Sequence, residues 1–69
     1  MDRVQVESSN IASIGYDPDA ETLEIEFLNG SVYQYYNVPE YVYDELMSAS
    51  SHGSYLSASI KGTYNYSKV

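Results

Sequence analysis

The 69-residue chain has no cysteine and no tryptophan, one phenylalanine and one histidine. Without cysteine there is no disulfide and no thiolate ligand, and a single histidine excludes a multi-histidine metal site. No run of 18 apolar residues occurs, and the first ten residues lack the apolar segment of a signal peptide. These absences predict one small cytoplasmic domain spanning residues 1–69, without a metal or another cofactor.

Positive charge is also scarce, because ten acidic residues face three basic ones and the net charge is −7. Every acid lies at or before Glu45, whereas residues 46–69 contain Lys61 and Lys68 and no acid. A surface this acidic repels phosphate backbones as a whole. The last third of the chain is therefore the part that a nucleic acid could approach.

What the chain has in excess is tyrosine, with nine in all and three of them in the run Val32-Tyr33-Gln34-Tyr35-Tyr36. A tyrosine ring has an apolar body and a polar tip, so it can build a core or form a binding platform. Which of the two roles these tyrosines take depends on how the strands pair.

Three strands are predicted in the first half of the chain. Residues 11–16 form one strand, with Ala12, Ile14 and Tyr16 on one face, and the turn of residues 17–20 ends it. In residues 22–28, apolar side chains alternate with Glu24 and Glu26, as in a half-buried antiparallel strand. Asn29-Gly30 predicts a hairpin that leads into a third strand over residues 31–36. Residues 1–7 are predicted to form an extended N-terminal arm.

This hairpin can close in two registers. A two-residue turn sets Ile25 opposite Gln34 and turns Tyr33 and Tyr35 to the outer face. A three-residue loop with Gly30 in the left-handed conformation sets Ile25 opposite Tyr33 on the core face. A slip of one residue inverts every side chain. We favour the second register, because it joins two aromatic rings to the apolar stripe.

Two helices are predicted next. Pro39 and Glu40 suit the first turn of a helix, and the apolar stripe that follows has helical spacing: Val42, Tyr43, Leu46, Met47 and Ala49. Ser51 is a candidate cap for a shorter helix that ends before Gly62, and residues 63–69 form an extended tail. The predicted fold is α+β, a three-stranded antiparallel β-meander followed by two short helices packed on one sheet face.

No residue pattern indicates catalysis. Asp17, Asp19 and Glu21 match the first positions of a calcium loop, but Thr22 and Leu28 stand where such a loop needs Gly and Glu. Glu24 and Glu26 are neighbours on a strand face that we expect to be exposed, where their role is solubility. We therefore predict no catalytic residue and no enzyme activity.

The C-terminal segment interleaves cations with aromatic rings, a composition typical of a strip that binds single-stranded nucleic acid. The candidate residues are Lys61, Tyr64, Tyr66 and Lys68, joined by Tyr36 from the hairpin. Two lysines neutralise about two phosphates, so binding would be weak and sensitive to salt. Alternatively, Tyr64 and Tyr66 cover the edge of the core and the lysines are merely solvated.

Several fragments together resemble the KTSC domain, a small bacterial and phage module that also occurs at the C-terminus of some lysyl-tRNA synthetases. The fragments are SSNIASIGYD, LEIEFLNGSVYQYYNVP, LMSASSHGSYL and IKGTYNY. The resemblance is centred on Tyr33 and Tyr35, with one residue between them. It also carries the family signature onto Ser8, Ser9 and Gly53. The link to a tRNA synthetase implies RNA as a candidate ligand, by association alone.

Two functional hypotheses follow, and neither involves catalysis. The first is an interaction module that binds single-stranded RNA by tyrosine stacking. The alternative is an acidic module that binds a basic protein or mimics nucleic acid, with Glu24, Glu26, Asp17 and Asp19 as its surface. We expect a monomer, or a weak homodimer joined through a sheet edge.

Overall fold

The computed structural model describes the whole chain, Met1–Val69. An antiparallel sheet carries two helices on one face, which confirms the α+β class. The elements in chain order are β1 (Arg3–Gln5), β2 (Ile11–Asp17), β3 (Thr22–Phe27), β4 (Val32–Tyr35), α1 (Glu40–Ser48), α2 (His52–Tyr55), a π-helical turn (Leu56–Ile60) that continues α2, and β5 (Tyr66–Lys68). None of the helices is long and apolar enough to cross a membrane.

The sheet has five strands in the order β1-β2-β3-β4-β5, so the prediction of a three-stranded meander is wrong in its strand count. The two additional strands come from the predicted arm and tail. Val4 of β1 lies opposite Ile14, and Tyr66 of β5 lies opposite Tyr35. Both strands are only three residues long and every residue in them is exposed, so their sequences lack the alternation of buried and exposed residues that identifies a strand. They pair because the central strands present free backbone groups at both edges.

The hairpin between β3 and β4 has the register that we favoured. Ile25 lies opposite Tyr33, and Leu23 lies opposite Tyr35. The loop closes with a 2.9 Å hydrogen bond from the amide of Gly30 to the carbonyl of Phe27. Gly30 has a φ of 92°, a conformation that glycine adopts at little cost. Tyr33 and Tyr35 therefore lie on the core face of the sheet.

A bulge changes the start of β2. Ile11 lies opposite Phe27, whereas Ser13 lies opposite Glu26, so β2 contains one extra residue at this point. Such a bulge shifts the alternation of side chains. The predicted alternation holds at Ile14. It fails before the bulge, where Ile11 is fully buried and Ala12, which was predicted to share the face of Ile14, is only half-buried.

Both helices pack against the apolar face of the sheet, largely as predicted. α1 begins at Glu40, and Pro39 precedes it in an extended conformation instead of occupying its first turn. The Ser51 hydroxyl caps α2 by accepting the amide of Ser54 at 3.2 Å. Gly62 has a φ of 81° and follows the helical segment. The core consists of Ile11, Ile14, Leu23, Ile25, Tyr35, Val38, Val42, Leu46, Leu56 and Ile60.

Candidate functional site

The helices leave part of the core face of the sheet uncovered, and a groove opens there along β4 and β5. Its volume is about 590 Å³. We call it the aromatic groove; it is lined by Phe27, Asn29, Ser31, Tyr33, Tyr35, Lys61, Gly62 and Tyr66. No acidic side chain lines it, although the chain as a whole carries a net charge of −7.

Four rings in the aromatic groove contact one another edge to face or at a tilt. Phe27 meets Tyr33 at a centroid distance of 5.7 Å and an interplanar angle of 83°. Tyr66 lies 5.8 Å from Tyr33 and 5.7 Å from Tyr35, with angles of 50° and 41°. Aromatic pairs of this kind stabilise each other. Tyr66 has the most accessible ring, because 58% of this residue is exposed.

Two lysines lie beside these rings. The π-helical turn ends with a hydrogen bond of 2.9 Å from the Lys61 amide to the Leu56 carbonyl, and Lys61 Nζ lies 5.3 Å from the centroid of Phe27. Lys68 lies directly opposite Tyr33, so both side chains are on the same sheet face. Neither lysine forms an ion pair, whereas the third cation, Arg3, is paired on the other side of the sheet.

Tyr35 forms the most buried wall of the aromatic groove, with only 3% of the residue exposed. Burial raises the pKa of its hydroxyl, and the neighbouring Tyr33 and Tyr66 add to the effect. The Tyr35 hydroxyl therefore stays protonated at neutral pH.

The structure brings together three of the five residues that the sequence suggested for nucleic-acid binding: Lys61, Tyr66 and Lys68. Tyr36 lies on the opposite sheet face, where its hydroxyl donates to Gln34 Oε1 at 3.3 Å. Tyr64 is half-buried against the core, and burial raises the pKa of its hydroxyl.

Sequence reasoning did not include Phe27, Asn29 and Ser31 in the site. The favoured register could have indicated them, because it sets Phe27 opposite Ser31 and beside the ring of Tyr33. Residues that lie opposite each other on the two strands of a hairpin have neighbouring side chains on the same sheet face.

The residues of the family signature outside the aromatic groove join the N-terminal half to α2. The Ser8 hydroxyl accepts the amides of Asn10 and Ile11 at 3.3 and 3.2 Å, and this holds the loop before β2. Gly53 leaves room for the side chain of Asn10, since a β-carbon at this position would lie 2.5 Å from Asn10 Oδ1. Ser9 is exposed and lines a shallow polar cleft beside them.

The outer face of the sheet carries a polar network in place of the exposed carboxylates that we expected. Glu24 is 8% exposed; it is paired with Arg3 and accepts a hydrogen bond of 2.8 Å from Gln34 Nε2. Glu26 accepts from Ser13 Oγ at 2.8 Å and lies 3.8 Å from the Arg3 guanidinium. The hydrogen bond from Gln34 holds the pKa of Glu24 below its usual value, and Arg3 adds to this against the opposing effect of burial. The expectation that Glu24 serves only solubility is therefore wrong.

Four carboxylate side chains lie around Tyr16. Burial raises the pKa of its hydroxyl, and the carboxylates of Glu21, Glu40, Asp17 and Asp44 add to the shift. Three of these four carboxylate residues are exposed, and Asp17 is half-buried. We call these four residues the acidic patch. No group of three or more histidine or acidic side chains is arranged to hold a metal ion.

Comparison with known proteins supports a family assignment. The KTSC domain pattern matches residues 7–66. The chain is 39% identical to an uncharacterized protein of Stutzerimonas stutzeri strain A1501, over 100% of this chain and 99% of that one. It is 41% identical to a lysine–tRNA ligase of Nostoc sp. strain PCC 7120, and here the match covers 91% of this chain but 11% of the ligase.

A solved structure gives the same result. The crystal structure of a KTSC domain protein from Yersinia pestis superposes with a TM-score of 0.93 at 46% identity, covering 99% of this chain and 96% of that one. Family pattern, whole-length relative and three-dimensional structure agree, and we conclude that the chain belongs to the KTSC domain family.

Proposed function

We propose that the protein is a non-catalytic module that binds single-stranded RNA in the aromatic groove. The observation that carries the proposal is that the two unpaired cations of an acidic chain, Lys61 and Lys68, flank its most accessible ring cluster. Exposed tyrosine rings stack on bases of any sequence, and lysines beside them attract the phosphates.

The charge distribution supports this choice of surface. Arg3 is held between Glu24 and Glu26 on the outer sheet face, so it is not free to bind phosphate. The aromatic groove contains no carboxylate, so an RNA strand in it would meet the least repulsion on this acidic protein. The lysine–tRNA ligase relative adds support by association, since its name links the family to an enzyme that acts on tRNA.

Binding would be weak and limited to a short stretch of RNA. Stacking on one tyrosine contributes about 1–3 kcal/mol. Two lysines release about two counterions, which for a single strand gives a slope near −1.4 in a plot of log affinity against log salt. We expect a dissociation constant of about 10–100 µM at low salt, which corresponds to a binding free energy of roughly −5.5 to −7 kcal/mol.

Fluorescence anisotropy with labelled RNA octamers at two salt concentrations tests the proposal. Tyr66→Ala should weaken binding by about 5-fold or more, and Lys61→Ala should make the salt slope shallower by about 0.7. Tyr41→Ala is the matched control, since Tyr41 is 63% exposed, close to the 58% of Tyr66, but lies outside the groove. Absence of binding at about 1 mM protein in low salt, a regime where even weak nucleic-acid binding is visible, would reject the proposal. An equal loss in Tyr41→Ala and Tyr66→Ala would also reject it.

The acidic patch supports a second candidate, the binding of a basic protein segment. The outer face cannot serve this purpose as first suggested, because Glu24 is buried and both Glu24 and Glu26 are engaged with Arg3. Titration with a lysine-rich peptide, followed by amide chemical shifts, would test the patch. Shifts confined to the four residues of the acidic patch that disappear at high salt are expected; shifts spread evenly over the surface would contradict it.

A further inference from the structure

We infer that the Tyr35 hydroxyl is a hydrogen-bond donor with which the aromatic groove recognises a carbonyl oxygen of the bound base, so that uracil binds more tightly than adenine. This inference rests on the proposed RNA binding and adds a specificity-determining residue to it. It assigns to Tyr35 a role different from that of Tyr66, which offers a stacking surface.

The state of the Tyr35 hydroxyl is the first argument. The hydroxyls of Tyr16, Tyr36 and Tyr55 each donate to a protein acceptor. Tyr35 is more deeply buried than any of them, yet its hydroxyl makes no hydrogen bond within the protein. Because no buried polar side-chain atom lacks a partner, this hydroxyl must be open to solvent. It is not sealed inside the core, because Tyr35 lines the aromatic groove. With no partner in the protein, the hydroxyl is free to pair with water or with a ligand that occupies the groove.

The cost of leaving this hydroxyl unpaired is the second argument. A ligand that fills the groove displaces the water at the hydroxyl, and the ligand must then supply an acceptor or lose affinity. A site built around such a group discriminates against ligands that lack the matching atom. The neutral hydroxyl has its proton available for donation at pH 7, since burial disfavours its ionised form.

The other polar groups of the groove indicate which base fits. Asn29 Oδ1 accepts the amide of Ser31 at 2.9 Å, while the NH₂ group of Asn29 donates to no protein group and can donate to a ligand. Lys61 is a donor only. The hydroxyls of Ser31, Tyr33 and Tyr66 can donate or accept, and no side chain of the lining is an acceptor alone. This lining complements uracil, which presents two carbonyl oxygens. Adenine has no carbonyl oxygen; its acceptors are ring nitrogens, and its amino group would face the donors of the lining, so it fits the lining less well.

Stacking alone makes the opposite prediction. Adenine has the larger ring system and covers more of a tyrosine face than uracil does. A groove that acted only through Tyr66 would therefore favour adenine, and the sign of the preference distinguishes the two modes of binding.

Anisotropy titrations with octamers of uridine, of adenosine and of abasic ribose phosphate test the inference. We expect the wild-type protein to bind the uridine octamer about 3- to 10-fold more tightly than the adenosine octamer, the range set by one hydrogen bond. Tyr35→Phe should weaken uridine binding by the same factor and change adenosine binding by less than about 2-fold. The melting temperature of Tyr35→Phe should equal or exceed that of the wild type, because no protein hydrogen bond is lost.

Tyr55→Phe is the matched control, since it removes a hydroxyl that donates to Glu45 at 2.6 Å outside the groove. It should leave the uridine-to-adenosine ratio unchanged. An unchanged ratio in Tyr35→Phe would overturn the inference, as would a wild-type preference for adenosine. Equal weakening of the abasic strand in Tyr35→Phe would also overturn it, because the acceptor would then be a phosphate. RNA binding that depends on Tyr66 but not on Tyr35 refutes this inference alone, whereas absence of RNA binding refutes the proposed function as well.

Discussion

Removal of the Arg3 side chain should destabilise the whole domain, although Arg3 lies in a strand of only three residues. Its guanidinium is paired with the nearly buried Glu24, and its Nε donates to Ser13 Oγ at 3.0 Å. Arg3→Ala would leave the Glu24 carboxylate with Gln34 as its main hydrogen-bond donor. A nearly buried carboxylate that loses its charged partner is costly, because its desolvation is no longer compensated.

The magnitude follows from the exposure of the two partners. A hydrogen bond to a charged group contributes about 1.5–3 kcal/mol when it is buried, and an exposed ion pair contributes about 0–1 kcal/mol. The Arg3 side chain is 30% exposed and that of Glu24 is 10% exposed, so the pair lies between these cases. We expect a loss of about 1–2 kcal/mol, which lowers the melting temperature of a domain this small by roughly 5–15 °C.

The effect should depend on pH in a defined direction. The pKa of Glu24 in the folded protein is lowered from its usual value of 4.5, so its contribution to stability is present above that value and is lost as the pH falls through the folded pKa. The difference between wild type and Arg3→Ala should therefore be full at pH 7 and should shrink as the pH falls towards 3 and the carboxylate takes up a proton.

Thermal melts followed by circular dichroism at pH 7 and pH 3 provide the measurement. Gln5→Ala is the control, because Gln5 lies on the same strand and the same sheet face, whereas the ion pairs on this face are made by Arg3. The double variant Arg3→Ala with Glu24→Gln should recover part of the loss, since no charge is then buried. The reasoning is refuted if Arg3→Ala melts within about 2 °C of Gln5→Ala, a gap below 1 kcal/mol in a domain of this size. An equal gap at both pH values would refute it as well.

Two further substitutions test local contacts. Tyr16→Phe removes a hydroxyl that donates to the Val38 carbonyl at 2.5 Å, and it should lower the free energy of unfolding by about 0.5–1.5 kcal/mol in a urea titration. Tyr35→Phe is the control and should not lower the free energy of unfolding. Equal effects of the two substitutions would contradict the hydrogen-bond assignment. Gly53→Ala should destabilise by about 1–3 kcal/mol, because its β-carbon would clash with Asn10 Oδ1. Adding Asn10→Ala should relieve the clash, so simple additivity of the two losses would show that the contact is not the cause.

The central hairpin was predictable because local and tertiary preferences agree there. Gly30 adopts a positive φ at little cost, and the register that its loop permits sets Tyr33 and Tyr35 beside the apolar stripe of β3. The cap at Ser51 was equally predictable, since a serine hydroxyl at this position accepts a hydrogen bond from an unpaired amide in the first turn of the following helix.

The outer strands and the bulge were not predictable in the same way. β1 contains one apolar residue, Val4, which is 53% exposed, so burial provides no local signal for that strand. The bulge that buries Ile11 depends on how β2 aligns with β3. Glu24 and Glu26 have the alternation of exposed residues, and only the docking of Arg3 across β2 covers them.

For the candidate site, the structure brings together three of the five residues that the sequence suggested, and their role in binding stays a prediction. Lys61, Tyr66 and Lys68 converge, because β5 pairs with β4 and the π-helical turn directs Lys61 to Phe27. Tyr36 follows Tyr35 directly in sequence but lies on the other sheet face, since side chains alternate along an extended chain.

The sequence by itself determined the α+β class, the central hairpin, the two helices and the uneven distribution of charge. These properties depend on periodicity, turn chemistry and composition, which act over a few residues. The tertiary structure alone decided that both ends of the chain join the sheet, that Arg3 pairs with Glu24 and Glu26 on the outer face, and that Lys61 meets four rings in one groove with Lys68 beside it. Those outcomes depend on contacts between residues distant in sequence, for which no local pattern carries information.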